Sequence, residues 1–200
     1  MLDIFTQNPQ LGILLMVALI VSLTFHEFSH AFVADKLGDP TAKNMGRLTL
    51  NPLAHLDPLG TLFLLVARFG WGKPVPFNPL NLKNPRRDAA LISLAGPASN
   101  FILAITASLI IRLVSAGSLL GGFLYLVVFY NLILGIFNLI PVGPLDGNKI
   151  VYGFLPMNLA IQWQEIQRYG MFILLFLVFT NTTSLILSPL VDLSMKLLGL

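Results

Sequence analysis

The chain has 200 residues, of which 12 are Lys or Arg and 9 are Asp or Glu. Charged residues therefore make up 10% of the chain, where soluble domains average about 25%. With 56% apolar residues, a soluble monomer would have to expose apolar surface over most of its area, so this composition argues against a soluble globular, a disordered or a nucleic-acid-binding protein. The net charge of +3 does not restore the last class, because the basic residues are scattered over loops between apolar runs, the pattern of cytoplasmic loops in membrane proteins. The expected fold is an all-α polytopic membrane protein with about four to six transmembrane helices, since only helices and closed barrels satisfy their backbone groups in lipid.

A span needs about 20 mostly apolar residues. Residues 11–34 supply the first, with no basic segment or small-x-small cleavage site ahead of it, so it reads as a retained helix and not a signal peptide. Residues 57–69 are apolar but too few to cross comfortably, and predict a re-entrant, tilted or β-like segment. Residues 90–114, 119–140 and 169–187 supply three further spans. The tail 189–200 carries Asp192 and Lys196 and predicts an interfacial helix, the alternative being part of a further span. No internal repeat is visible, and residues 1–200 read as one membrane domain.

Orientation follows from the loops. Residues 1–10 hold Asp3 and no Lys or Arg, whereas residues 35–56 hold Lys36, Lys43 and Arg47. Residues 70–88 hold Lys73, Lys83, Arg86 and Arg87, the 115–118 turn is uncharged, and residues 141–168 hold Lys149 and Arg168. The positive-inside rule places the N-terminus outside, 35–88 inside, 115–118 outside and 141–168 inside. This requires that 57–69 does not cross.

There are no cysteines, so any metal must be held by His, Asp or Glu. Three ionisable residues sit inside the first apolar run, in Phe25-His26-Glu27-Phe28-Ser29-His30. Titratable groups at membrane depth are costly and point to function. The spacing is H-E-x-x-H: positions i and i+4 share a helix face, so two imidazoles can reach one metal ion. Glu27 beside them can serve as general base toward a metal-activated water. The competing reading is a polar helix interface, with both histidines bonded to a neighbouring helix. A catalytic zinc needs a third ligand, and the membrane-proximal candidates are His55, Asp57, Asp88 and Asp146. Spacing does not choose among them. Topology favours Asp146, because the first and 119–140 helices run in the same direction and carry their motifs to the same depth. Asp146 lies in Pro141-Val142-Gly143-Pro144-Leu145-Asp146-Gly147, a break tolerated within a membrane where it lines a cavity or packs on protein; the alternative is an ordinary Asp-Gly turn at the surface. Asn131, Gly135 and Asn138 form a stripe that either faces the site, where Asn138 donates to a substrate carbonyl or oxyanion, or glues helices together.

His26-Glu27-Phe28-Ser29-His30 followed by Asn138-Leu139-Ile140-Pro141-Val142-Gly143-Pro144-Leu145-Asp146-Gly147 resembles the paired HExxH and NxxPxxxxDG signature of the site-2 protease family, the intramembrane zinc metalloproteases. The stretches Gly46–Thr61, Lys73-Pro74-Val75-Pro76 and Ala95-Gly96-Pro97-Ala98-Ser99-Asn100 resemble its short prokaryotic branch, which lacks PDZ and CBS domains. The resemblance covers most of residues 20–150. It implies one Zn²⁺ per chain held by His26, His30 and Asp146, with Glu27 as general base and Asn138 in substrate or oxyanion contact. It further implies a substrate that is the transmembrane segment of another protein, selected with or without an adaptor or regulatory membrane protein. The expected location is a prokaryotic plasma membrane, with the active site toward the cytoplasm.

A helical substrate must unwind before attack, since its carbonyls are bonded within the helix. Residues 47–50 can offer a strand edge to such a peptide or form a plain loop. His55 and Asp57 either support the site and its water access or cap a helix. Trp71 and Trp163 are expected to mark the membrane interface. Two other function classes compete with a protease: a non-catalytic zinc-binding membrane scaffold, and a transporter, for which the duplicated halves with broken helices are missing.

Overall fold

The computed structural model describes residues 2–67, 70–115 and 117–200. Its helices are α1 (Leu2–Gln7), α2 (Pro9–Lys36), α3 (Thr41–Asn44), α4 (Pro58–Ala67), α5 (Pro85–Ile111), α6 (Leu119–Asn138), α7 (Asp146–Phe154), α8 (Met157–Gln167), α9 (Gly170–Phe179) and α10 (Thr182–Leu197). No strand occurs among the described residues. Three helices, α2, α5 and α6, are long and apolar enough to cross a membrane, and α9 with α10 makes a fourth if the bent pair is one span. The chain is an integral membrane protein.

Local chemistry sets where the long helices begin. Asn8 accepts a hydrogen bond from the Leu11 N–H and is followed by Pro9 at the first helical position, a residue that has no amide to leave orphaned. Pro85 opens α5 in the same way, and the Ser118 hydroxyl accepts from Gly121 N–H at the start of α6. Many residues buried between the long helices are small or polar: Ala18 and Ser22 on α2, Gly96, Asn100, Ala104 and Ser108 on α5, and Asn131 and Gly135 on α6, beside Val128 and Leu132. Ile13, Val17, Ile102, Ile105 and Leu109 face outward. In lipid the apolar effect does not draw helices together, so close approach of small residues and interhelical hydrogen bonds carry the association.

The 57–69 segment forms α4 from Pro58, and residues 68 and 69 lie outside the described residues. Ten helical residues cover about 15 Å, half a hydrocarbon core. Leu56 and Gly72 form an antiparallel bridge, and the Lys73 N–H donates to the His55 carbonyl at 2.8 Å. The two ends of the segment therefore lie side by side, so it enters and returns on one face.

Two expectations are corrected. The predicted 169–187 span is broken: α9 stops at Phe179 and α10 leaves it at 76°. Asn181 at the corner is left-handed, with φ of 58°, a conformation Asn tolerates better than most residues. The Thr180 hydroxyl bonds the Phe176 carbonyl at 2.7 Å and pairs with Thr182 at 2.8 Å, giving the chain polar alternatives to continued helix. The tail at 189–200 is not a separate interfacial helix but the second half of α10, which runs through Pro189 and belongs to the bent α9–α10 pair, the alternative of a further span. As for 47–50, the plain loop is what forms. The backbone pairing sits at Leu56 and Gly72, and Arg47 holds it by donating to the Lys73 and Pro74 carbonyls.

Candidate metal centre

α2 carries His26 and His30 on one face, and α7 brings Asp146 against them. The three ligand atoms converge: His26 Nε2 lies 3.1 Å and His30 Nε2 3.2 Å from Asp146 Oδ2, and the two imidazole nitrogens are 3.0 Å apart. All three residues are buried. His30 Nδ1 is 2.7 Å from the Ile92 carbonyl; a carbonyl only accepts, so Nδ1 carries the proton and Nε2 presents a bare lone pair. His26 Nδ1 is likewise occupied, 2.6 Å from Asn100 Oδ1. Asp146 Oδ2 is buried with no hydrogen-bond partner. Three lone pairs pointed at one another repel unless a cation lies between them. Tetrahedral zinc with ligands at about 2.0–2.1 Å places them about 3.3 Å apart, close to the spacing seen. The donor set fits zinc, with a fourth position left for substrate or water.

The approach of the elements is set by glycines. A Cβ on Gly96 would lie 2.5 Å from His30 Nε2 and 2.6 Å from His26 Cε1, so both imidazoles rest on the bare backbone of α5. A Cβ on Gly147 would run into the Leu139 and Ile140 carbonyls at the end of α6. The Asp-Gly pair thus lets α7 begin directly against α6. Gly143, with φ of 58°, turns the intervening chain. Its N–H donates to Gln167 Oε1 at 2.8 Å, and Gln167 Nε2 donates to the Pro141 carbonyl at 3.2 Å.

The remaining candidates fall elsewhere. Asp57 caps α4, accepting from the Gly60 N–H at 2.8 Å, and Asp88 accepts from the Asn84 N–H at the start of α5. His55 is fully buried, donates from Nε2 to the Thr49 carbonyl at 2.8 Å, and faces Arg47. It supports the re-entrant segment, not the metal triad. Burial weakens Arg47's hold on its proton below the ordinary value, and the charge of Glu27, buried on α2, only partly offsets this. Asn138 donates to the Leu134 carbonyl of its own helix at 2.9 Å, whereas Asn131 and Gly135 pack against α5. Trp163 Nε1 donates to Asn148 Oδ1 at 2.8 Å, two residues beyond Asp146. Trp71 packs beside Phe63, ring centres 5.4 Å apart and planes tilted by 40°.

The motifs did not assign roles to Gly96, Asn100, Ser22 or Arg47. A signal for three of them existed: Ser22, His26 and His30 recur every fourth residue on α2, and Gly96 and Asn100 share the same interval on α5.

The profile of Peptidase family M50 matches residues 14–121 and 112–180. The chain is 42% identical over 187 residues to "Putative zinc metalloprotease YwhC" of Bacillus subtilis, covering 89% of this chain and 85% of that protein. It is 32% identical over 180 residues to the Rip2 protein of Mycolicibacterium smegmatis, which bears the same designation, covering 84% and 67% of the two chains. It is also 29% identical over 143 residues to "Zinc metalloprotease MJ0392" of Methanocaldococcus jannaschii, covering 70% of this chain and 34% of that one. No solved structure matches. With the family profile spanning most of the chain and a buried His-His-Asp triad suited to zinc, the chain belongs to peptidase family M50, the site-2-type proteases, and is a zinc-dependent peptidase.

Proposed function

We propose that the chain, acting as one membrane domain over residues 1–200, is an intramembrane endopeptidase that cuts transmembrane segments of other membrane proteins in regulated proteolysis. The observation that carries this reading is the position of the triad: His26 lies about ten residues, or about 15 Å, inside the C-terminal end of a spanning helix, below where a soluble peptide would meet it. Zinc bound there supplies Lewis-acid polarisation of a carbonyl and acidifies water toward a pKa of about 7.

In this reading His26, His30 and Asp146 are the ligands. Glu27, one residue along α2 from His26, takes the proton of the attacking water and returns it to the leaving amine. Asn138 ends α6 beside the Pro/Gly break that carries Asp146; once its amide leaves the Leu134 carbonyl, it donates to the scissile carbonyl or its oxyanion. The loops on either side of the re-entrant segment, residues 35–56 and 70–88, and the 141–168 region carry most of the positive charge, which favours a cytoplasmic opening in a prokaryotic plasma membrane. Substrate selection rests with this membrane domain or with an adaptor membrane protein.

The test compares purified wild type with Glu27→Gln on reporter membrane proteins bearing varied transmembrane segments. Zinc content should be equal in the two proteins, with cleavage by the variant reduced at least about 10²-fold. Wild type that, fully loaded with zinc, cuts nothing the variant leaves intact would remove the protease reading of this site.

A further inference from the structure

We propose that Asn100, oriented by Asn131 and Ser22, is a positioning residue for the metal centre: it holds His26 in the one tautomer that offers Nε2 to zinc. The inference rests on the proposed role of His26 as a ligand.

The direction of every hydrogen bond follows from backbone carbonyls, which can only accept. Ser22 Oγ gives its single proton to the Ala18 carbonyl at 2.8 Å, so toward other partners it is an acceptor. Asn131 Nδ2 donates to Ser22 Oγ and to the Val127 carbonyl, both at 2.8 Å. Both amide hydrogens are thereby used, and the atom Asn131 turns to Asn100 must be its oxygen. Asn100 Nδ2 donates to that oxygen at 2.7 Å and to the Ser22 carbonyl at 3.3 Å. Asn100 therefore presents Oδ1 to His26 Nδ1, at 2.6 Å. An oxygen acceptor there requires the proton on Nδ1, and the lone pair on Nε2 then points at Asp146 and His30. Flipping either amide would set oxygen against a carbonyl oxygen somewhere along the chain, so the relay has a single polarity.

Placement makes that polarity hard to lose. Ser22, Asn100 and Asn131 are all fully buried, one on each of the three long helices, at a depth where water does not re-pair a broken bond. Helix association alone needs polar contacts but no particular end-point. This relay ends on the ring nitrogen opposite the one facing the triad, the position from which an outer partner fixes a ligand's tautomer and raises its basicity. The other histidine receives the same service from the Ile92 backbone, so His26 is the ligand whose orientation depends on side chains.

The experiment measures zinc affinity by chelator competition on detergent-purified protein of native helical content, together with the visible spectrum of the cobalt-substituted form and thermal stability. Asn100→Leu removes the acceptor and should weaken zinc binding roughly 10- to 100-fold and alter the cobalt spectrum. Asn100→Asp keeps an oxygen toward Nδ1 but loses both donors. It should bind zinc within about threefold of wild type while melting at lower temperature, since affinity follows the acceptor and stability follows the donors. Asn131→Ser, one step further out, should weaken zinc binding several-fold, and it decides the matter if Asn100→Leu does not fold. The relay is overturned if Asn100→Leu or Asn131→Ser binds zinc as wild type does, or if Asn100→Asp loses as much affinity as Asn100→Leu. The ligand reading beneath it is judged separately: zinc retained at full stoichiometry by His26→Ala or Asp146→Ala would sink that reading, whatever the Asn100 series shows.

Discussion

At the scale of single residues, the metal centre depends as much on what is missing as on what binds. Gly96 offers no side chain where both imidazoles rest, and a methyl there would stand 2.5 Å from His30 Nε2, far inside contact distance. Gly96→Ala should leave helical content nearly unchanged, because alanine favours helix over glycine. It should nonetheless abolish stoichiometric zinc, measured by elemental analysis of the purified variant; full zinc occupancy would mean the imidazoles do not pack on α5 as described. The three candidate ligands and Glu27 stood out because H-E-x-x-H and the Asp-Gly break place unusual chemistry in apolar surroundings. Gly96, Ser22 and Asn100 were not assigned, because small and polar residues at helical spacing are also ordinary membrane-helix packing. Only the partner helix reveals which of them face a ligand.

At the scale of elements, apolar length carried the prediction where helices are long, and chain geometry decided it where they are short. The spans α2, α5 and α6 stood out from runs of about 20 apolar residues. The corner at Asn181 did not, because the short polar run Thr180-Asn181-Thr182-Thr183-Ser184 lies between apolar runs and its uncharged residues do not mark a break by hydropathy alone. The segment after α2 is held by a staple that the apolar pattern cannot show. Buried Asp39 accepts from the Thr41 hydroxyl at 2.5 Å and its N–H at 3.1 Å, from the Asn78 N–H at 2.6 Å and from the Asn81 amide at 2.7 Å. Burial opposes its charge, but these donors outweigh burial and hold the carboxyl below its ordinary range. A carboxyl depressed in the folded state contributes stability that is complete above the unfolded value of about 3.9 and is lost as pH falls through the lower folded value. Asp39→Asn turns an amide toward donors and should lower the Tm clearly at pH 7. The gap to wild type should narrow below about pH 4 in detergent melts; a gap independent of pH would show that the charge of Asp39 does not hold the staple.

At the scale of the whole molecule, the helices are arranged so that a metal triad forms at depth from segments that reach the same level by different routes. α2 delivers two histidines from within its length, whereas α6 ends and the Pro141–Leu145 break returns α7 to meet them. The bridge of Leu56 to Gly72 keeps both flanks of the re-entrant segment on one side, as the basic residues on both flanks require. Orientation relative to the membrane then becomes a single testable statement. With α5 crossing between them, Lys83→Cys and Ser115→Cys should react with impermeant thiol reagents from opposite sides in intact cells. The absence of native cysteines leaves no background labelling from the chain itself. Lys83→Cys should be protected until the cells are opened, and Ser115→Cys should be labelled from outside. Labelling of both from one side would mean that α5 does not cross, and the shared depth of His26, His30 and Asp146 would need another arrangement of the spans around them.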